Sequence, residues 1–157
     1  MILIAGPSAN GITRKPHSTG SLKAEAINSA QPELKEVGTL KRIVEACWDK
    51  GTSADPDAWT AENSAYGQCA VTALLVQDIL GGKLLRSVAS WEGGSVSHYF
   101  NELPDGRVLD LTRKQFRADC RFSEPEYRER SYVLSYPDTA SRYDILKRRF
   151  TLASGLR

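Results

Sequence analysis

A chain of 157 residues is long enough for one hydrophobic core and short for two, so a single domain is the expectation. Hydrophobic residues at 41% and charged residues at 25% match globular averages, which argues against wholesale disorder and against a membrane protein. With 21 basic against 19 acidic residues the net charge is +2, too small an excess to neutralise a phosphate backbone, so nucleic acid is not the expected partner.

The opening Met1 to Ala5 is apolar but is stopped by Gly6 and Pro7 and preceded by no basic residue, unlike a signal peptide. No stretch approaches the ~20 apolar residues of a membrane span. These features lead us to expect a cytoplasmic protein. Residues 1–35 are rich in Gly, Pro, Ser, Asn and Thr and keep neither a helical nor a strand period, which predicts a flexible N-terminal arm ahead of one domain over 36–157. From residue 36, Leu40, Ile43, Val44 and Cys47 recur at helical spacing, and a first amphipathic helix is expected before Gly51. Residues 52–66 read as a loop interrupted by Trp59.

A second helix is predicted from Gly67 or Gln68 to the Gly81-Gly82 pair. Cys69, Thr72, Ala73, Val76 and Leu80 form one stripe, and Leu74 and Ile79 widen it enough to bury most of the helix. The period then changes, with strands expected over 83–90, 96–103 and 107–112. Pro104-Asp105-Gly106 is a turn signal that pairs the last two as a hairpin. Tyr132 to Leu134 reads as further extended structure. Asp138 or Thr139 is placed to cap a final helix that turns Tyr143, Leu146 and Phe150 to one face and carries Lys147, Arg148 and Arg149 near its end.

A cysteine in the first turn of a buried helix sits where unpaired backbone N–H groups favour an anion, so Cys69 is the candidate nucleophile. Read alone, a cysteine on an apolar stripe is more often a small buried hydrophobe. Of the two histidines, His17 lies in the arm, and His98 is the base candidate. Alternation puts Val96, His98 and Phe100 on one strand face and Val108, Asp110 and Thr112 on another. A hairpin loop of three residues sets Asp110 diagonal to His98 and one of five sets it opposite, so a carboxylate reaches the imidazole either way. Nucleophile, base and orienter are then all present as Cys69, His98 and Asp110. Asn101 is the rival orienter, on the opposite face. The backbone N–H of Cys69 and the side-chain amide of Gln68 are candidate oxyanion donors, and Trp59 and Tyr66 are candidate cleft walls.

The blocks Gly67-Gln68-Cys69, His98-Tyr99-Phe100-Asn101 and Asp110-Leu111-Thr112, with Gln115-Phe116 following, resemble the YunG family of uncharacterised bacterial proteins over about residues 40–150. The resemblance implies an α+β fold of the papain-like or transglutaminase-like kind, with a nucleophile-bearing helix packed on an antiparallel sheet, and the chain order Cys69, His98, Asp110. It implies no substrate. Asn63-Ser64-Ala65 stands where the family commonly has a proline, so that loop is expected to differ.

Three function classes follow. The first is a thiol-dependent hydrolase or acyltransferase acting on a peptide, protein or small amide or ester, with no cofactor. The second is a binding or regulatory protein that keeps the fold without turnover. In that class the basic run from Lys147 to Arg149 serves an acidic partner. The third, a metal site from Cys47, Cys69, Cys120 and His98, lacks any short ligand pair. The three widely spaced cysteines are read as reduced thiols.

Overall fold

The computed structural model describes residues 34–155. The predicted arm therefore lies outside the described residues, except for Leu34 and Lys35, which open the first helix. The chain forms α1 (Leu34–Ala46), α2 (Cys69–Leu80), β1 (Lys83–Trp91), β2 (Gly94–Glu102), β3 (Val108–Leu109), a 3-10 turn (Arg113–Gln115), β4 (Arg121–Phe122), β5 (Glu126–Arg128), α3 (Arg130–Leu134) and α4 (Thr139–Ser154). This is a mixed α+β domain, with helices packed on an antiparallel sheet.

The helical layer forms because α2 is apolar nearly all round. Val71, Ala73, Leu74 and Leu75 are buried with Leu40 and Val44 of α1 and Tyr143, Leu146 and Phe150 of α4. Each such large aliphatic side chain contributes ~1.5–3 kcal/mol when removed from water. Ile79, expected to extend the buried face of α2, is 38% exposed, because the helix nears its end there and turns that side to solvent. Polar bonds fix the layer's register. Trp48 Nε1 donates to Thr72 Oγ1 at 3.0 Å, and Arg130 reaches Asp78 at 3.0 Å and Tyr143 Oη at 2.8 Å.

Lys147 and Arg149 of the C-terminal basic run turn inward to Asp78 at 3.3 Å and Asp49 at 2.7 Å. The predicted acidic-partner face therefore has two of its three cations paired within the chain.

In the sheet the order is β3-β2-β1-β4, with β5 also on β1. β1 and β2 pair along their whole length, from Lys83 opposite Glu102 to Trp91 opposite Gly94. On the other edge of β1, the pairing of Ser90 with Arg121 and of Leu84 with Arg128 differs in register by one residue. That offset is a β-bulge at 123–125, where Ser123 Oγ satisfies the Val88 N–H and Pro125, which has no N–H to lose, is accommodated.

Two expectations are corrected here. Tyr132 to Leu134 is helical, as part of α3: Val133 docks in the core while its N–H bonds Glu129 O, and so short an apolar run carries no period to separate helix from strand. The predicted strand over 107–112 is only Val108–Leu109, because the chain leaves the ladder at Asp110. Among the described residues no helix is long and apolar enough to cross a membrane.

Gly67 fixes where α2 begins. Its φ is +72°, and a Cβ there would stand 2.3 Å from Ser53 Oγ and 2.8 Å from Ala54 N, in the loop whose Ala54 N–H bonds Gly67 O. Gly67→Ala should lower stability by about 1–3 kcal/mol or more in urea unfolding. An unchanged midpoint and slope would show that the loop does not hold this geometry.

Candidate functional site

The end of β3 creates the site. Leu103 N bonds Arg107 O across the Pro104–Gly106 turn, and Asn101 and Glu102 of β2 face Leu109 and Val108. Extending that register by one residue sets Asp110 opposite Phe100 and diagonal to His98, the geometry expected of a three-residue loop. His98 Nε2 lies 2.7 Å from Asp110 Oδ2. The other oxygen of that carboxylate accepts from Thr112 N at 3.1 Å and Thr112 Oγ1 at 3.4 Å, so Asp110 is fixed before it meets the ring.

His98 is fully buried. Phe100 stacks on it at 5.6 Å between centroids, and Phe116 and Phe122 meet it edge-on at 4.9 and 5.8 Å. This shell excludes water from the imidazole, which by itself pulls the pKa of His98 down. Hydrogen bonds to Asp110 and Cys69, with the negative charges of both, outweigh burial and raise it from 6.5 to about 9. His98 is therefore held protonated at neutral pH. Because Nε2 is committed to Asp110, Nδ1 is the nitrogen left for Cys69.

Cys69 stands at the first helical position of α2. No side chain caps that end, so the first-turn N–H groups have no side-chain acceptor. Its Sγ lies 3.9 Å from Ser97 O, on the stretch of the β2 edge that β3 does not reach. It opens into a cleft of about 860 Å³ whose wall includes Tyr66, Trp91, Phe116, Tyr136 and Arg142. Burial pulls the Arg142 guanidinium below its ordinary value, while the charges of Cys69 and Asp138 act the other way. Among the described residues Arg142 bonds Thr52 O at 3.3 Å and Thr139 Oγ1 at 3.0 Å, and no carboxylate of these residues forms an ion pair with it.

The remaining predicted residues are scattered. Tyr66 lines the cleft. Trp59 does not: its indole donates to Ser64 O at 2.9 Å within its own loop. Gln68 is fully buried and turned from the cleft, with Nε2 on Asp49 O at 3.0 Å and Oε1 without a partner. Asn101 bonds Ala73 O at 2.9 Å, tying β2 to α2 on the sheet face opposite His98. Cys120 is half-buried and lines the same cleft as Cys69, while Cys47 is buried in the core. Among the described residues no cluster of His, Cys, Asp or Glu could hold a metal ion.

Gln115 received no role from sequence reasoning, yet it joins the two halves of the site. Its Oε1 accepts from Gly67 N at 3.3 Å, and its Nε2 donates to Thr112 O at 3.1 Å and lies 3.4 Å from His98 Nδ1. Both backbone partners have fixed polarity, so the amide turns its nitrogen toward the ring, and it can donate to Nδ1 only when that nitrogen carries no proton. Its sequence signals were its place three residues after Thr112 and its part in the family-like block with Phe116.

The stability contributed by the charged His98 ring is fully present below pH 6.5 and is lost as pH rises through about 9. An NMR titration of the His98 ring nitrogens should give a midpoint near 9 in wild type. The midpoint should be lower in both Cys69→Ala and Asp110→Asn. A wild-type midpoint at or below 6.5 would mean that burial outweighs both partners.

Residues 36–154 match the YunG protein family. The uncharacterised protein YunG of Bacillus subtilis (strain 168) is 33% identical over 97 residues, covering 60% of this chain and 76% of that protein. No solved structure matches. With the family match extending from within α1 to the end of α4, the chain belongs to the YunG family.

Proposed function

We propose that this protein is a thiol-dependent hydrolase or acyltransferase acting on amides or esters, with Cys69 as nucleophile, His98 as acid and base and Asp110 as orienter. The supporting observation is the uncapped helix start that sets Cys69 against the β2 edge, beside a buried His98 whose far nitrogen is 2.7 Å from Asp110. The order of these residues along the chain, with the nucleophile on a helix and its partners on an antiparallel sheet, supports a papain-like or transglutaminase-like fold. The site fits a peptide, protein or small amide substrate and a cytoplasmic, reducing setting that keeps the thiol free.

In the proposed reaction the Cys69 sulfur attacks the carbonyl carbon, an S–C bond forms, and the C=O electron pair moves to oxygen. The Cys69 N–H at the helix start faces that oxygen. Gln115 lines the cleft, and while His98 is protonated the Nε2 hydrogen not bound to Thr112 O is free to serve as the side-chain donor that Gln68 was expected to be. As the tetrahedral adduct collapses, the C–N or C–O bond breaks and His98 gives its proton to the leaving group. Neutral His98 then takes a proton from water or an amine as that nucleophile attacks the thioester, and Cys69 leaves.

Iodoacetamide should alkylate Cys69 in the folded protein at least tenfold faster than Cys47, whose thiol burial pushes up, and faster than Cys120, which has no histidine partner. Mass-spectrometric rates per cysteine measure this. Asp110→Asn should keep the fold and lower p-nitrophenyl acetate turnover by roughly 10²–10⁴-fold, by releasing the ring from its orientation. If Cys69 reacts more slowly than Cys120 below neutral pH, or if folded Asp110→Asn retains full turnover, the protein is better read as a binding protein.

A further inference from the structure

The substrate of the proposed site can be narrowed from the main chain of β2. Leu103 N bonds Arg107 O, so the N–H and C=O groups of odd-numbered β2 residues point toward β3. β3 takes up Asn101 and stops at Leu109. The same alternation turns the main-chain groups of Ser95 and Ser97 to the side that β3 leaves open. Ser97 O meets only the Cys69 thiol, at 3.9 Å, too long to replace a ladder bond. A half-buried strand edge ending at a nucleophile is thus open to another backbone.

The surroundings of that edge specify the chain that fits it. Trp91, Val96 and Tyr136 are each 45% exposed and all line the cleft, forming apolar walls on a surface that otherwise hides such groups. Arg142 lines the cleft within the electrostatic reach of Cys69 and, among the described residues, in no ion pair; with Lys50 and Arg117 it outnumbers the lining carboxylates Asp55 and Asp138, so the cleft favours a carboxylate over an ammonium group. A small amide would leave both the edge and the walls unused.

We propose that the substrate of this site is an extended polypeptide segment that adds as a strand to the open β2 edge at Ser95 and Ser97. It packs apolar side chains on the cleft walls and sets a carboxylate-bearing residue near the reactive carbonyl, against Arg142. This rests on the reading of Cys69 as the nucleophile, and strand addition supplies the alignment that reading needs: main-chain bonds fix the segment's register, so one carbonyl is held at the sulfur.

The test uses Cys69→Ala protein, which binds without turnover, and fluorescence anisotropy with labelled apolar hexapeptides that contain one glutamate. The parent should bind. A version N-methylated at alternate amides should bind at least tenfold more weakly in one of the two methylation registers, and a Glu→Lys version should bind at least fivefold more weakly. In Arg142→Gln protein the Glu-over-Lys preference should disappear while the penalty for N-methylation remains. Equal affinity for parent and both N-methylated registers overturns strand addition, and equal affinity for the Glu and Lys peptides in Arg142-containing protein overturns the charge assignment. A burst of p-nitrophenol from p-nitrophenyl acetate with wild type is read separately. A burst with no N-methylation effect overturns the inference and leaves the nucleophile standing, whereas no burst with a clear N-methylation effect does the reverse.

Discussion

A buried imidazole must find a hydrogen-bond partner for each nitrogen, and much of this molecule follows from satisfying His98. One partner is Asp110, which reaches Nε2 because β3 ends after two residues and releases the chain from the ladder. Had the strand continued as its alternating sequence suggests, β2 would have no open edge and Cys69 no approach to it. The early end of β3 therefore positions the carboxylate and exposes the edge at the same time. Thr112 then holds Asp110, and the 3-10 turn brings Gln115 and Phe116 back over the ring.

The three chemical residues were legible for separable reasons. Cys69 was marked by the change from a polar loop ending at Gly67 to a largely apolar helix, His98 by the scarcity of histidines, and Asp110 by a charge set between two leucines after a strong turn signal. Each signal is local and strong, and the hairpin parity joined two of them. What remained illegible depends on contacts that no local pattern records. β4 and β5 are two and three residues long and carry Arg121, Glu126 and Arg128, so they show no alternation, and only the exposed flank of β1 makes them strands. Tyr132 to Leu134 has strand-like composition, yet docking of Val133 in the helical layer decides its state.

Gln68 and Gln115 show the same division at the scale of single side chains. Adjacency to the nucleophile made Gln68 the natural oxyanion donor, but at that point the backbone directs its side chain inward, where it binds the loop carbonyl of Asp49. Gln115 is distant in sequence and has no periodic signature. It reaches the cleft because the 3-10 turn after Thr112 carries it there. Sequence spacing ranks such candidates by proximity along the chain, whereas the fold ranks them by the direction of Cα–Cβ.

The charge around Cys69 gives the site its asymmetry. His98 shares its positive charge with Asp110 through a 2.7 Å bond, so that cation is half-neutralised on the side away from the sulfur. Among the described residues Arg142 has no ion-pair partner, and it donates to a carbonyl and a hydroxyl. In the proposed reaction a negative charge in the cleft would be favoured twice, at the sulfur before attack and on the carbonyl oxygen after it, by groups already in place. Asn101 and Trp48 fix α2 to β2 and to the loop after α1, so the helix carrying the sulfur is anchored at Ala73 and Thr72, one turn from the reacting atom. The anchor at Asn101 and the His98–Asp110 pair sit on opposite faces of β2, which allows the core to hold the helix start without filling the space around the imidazole.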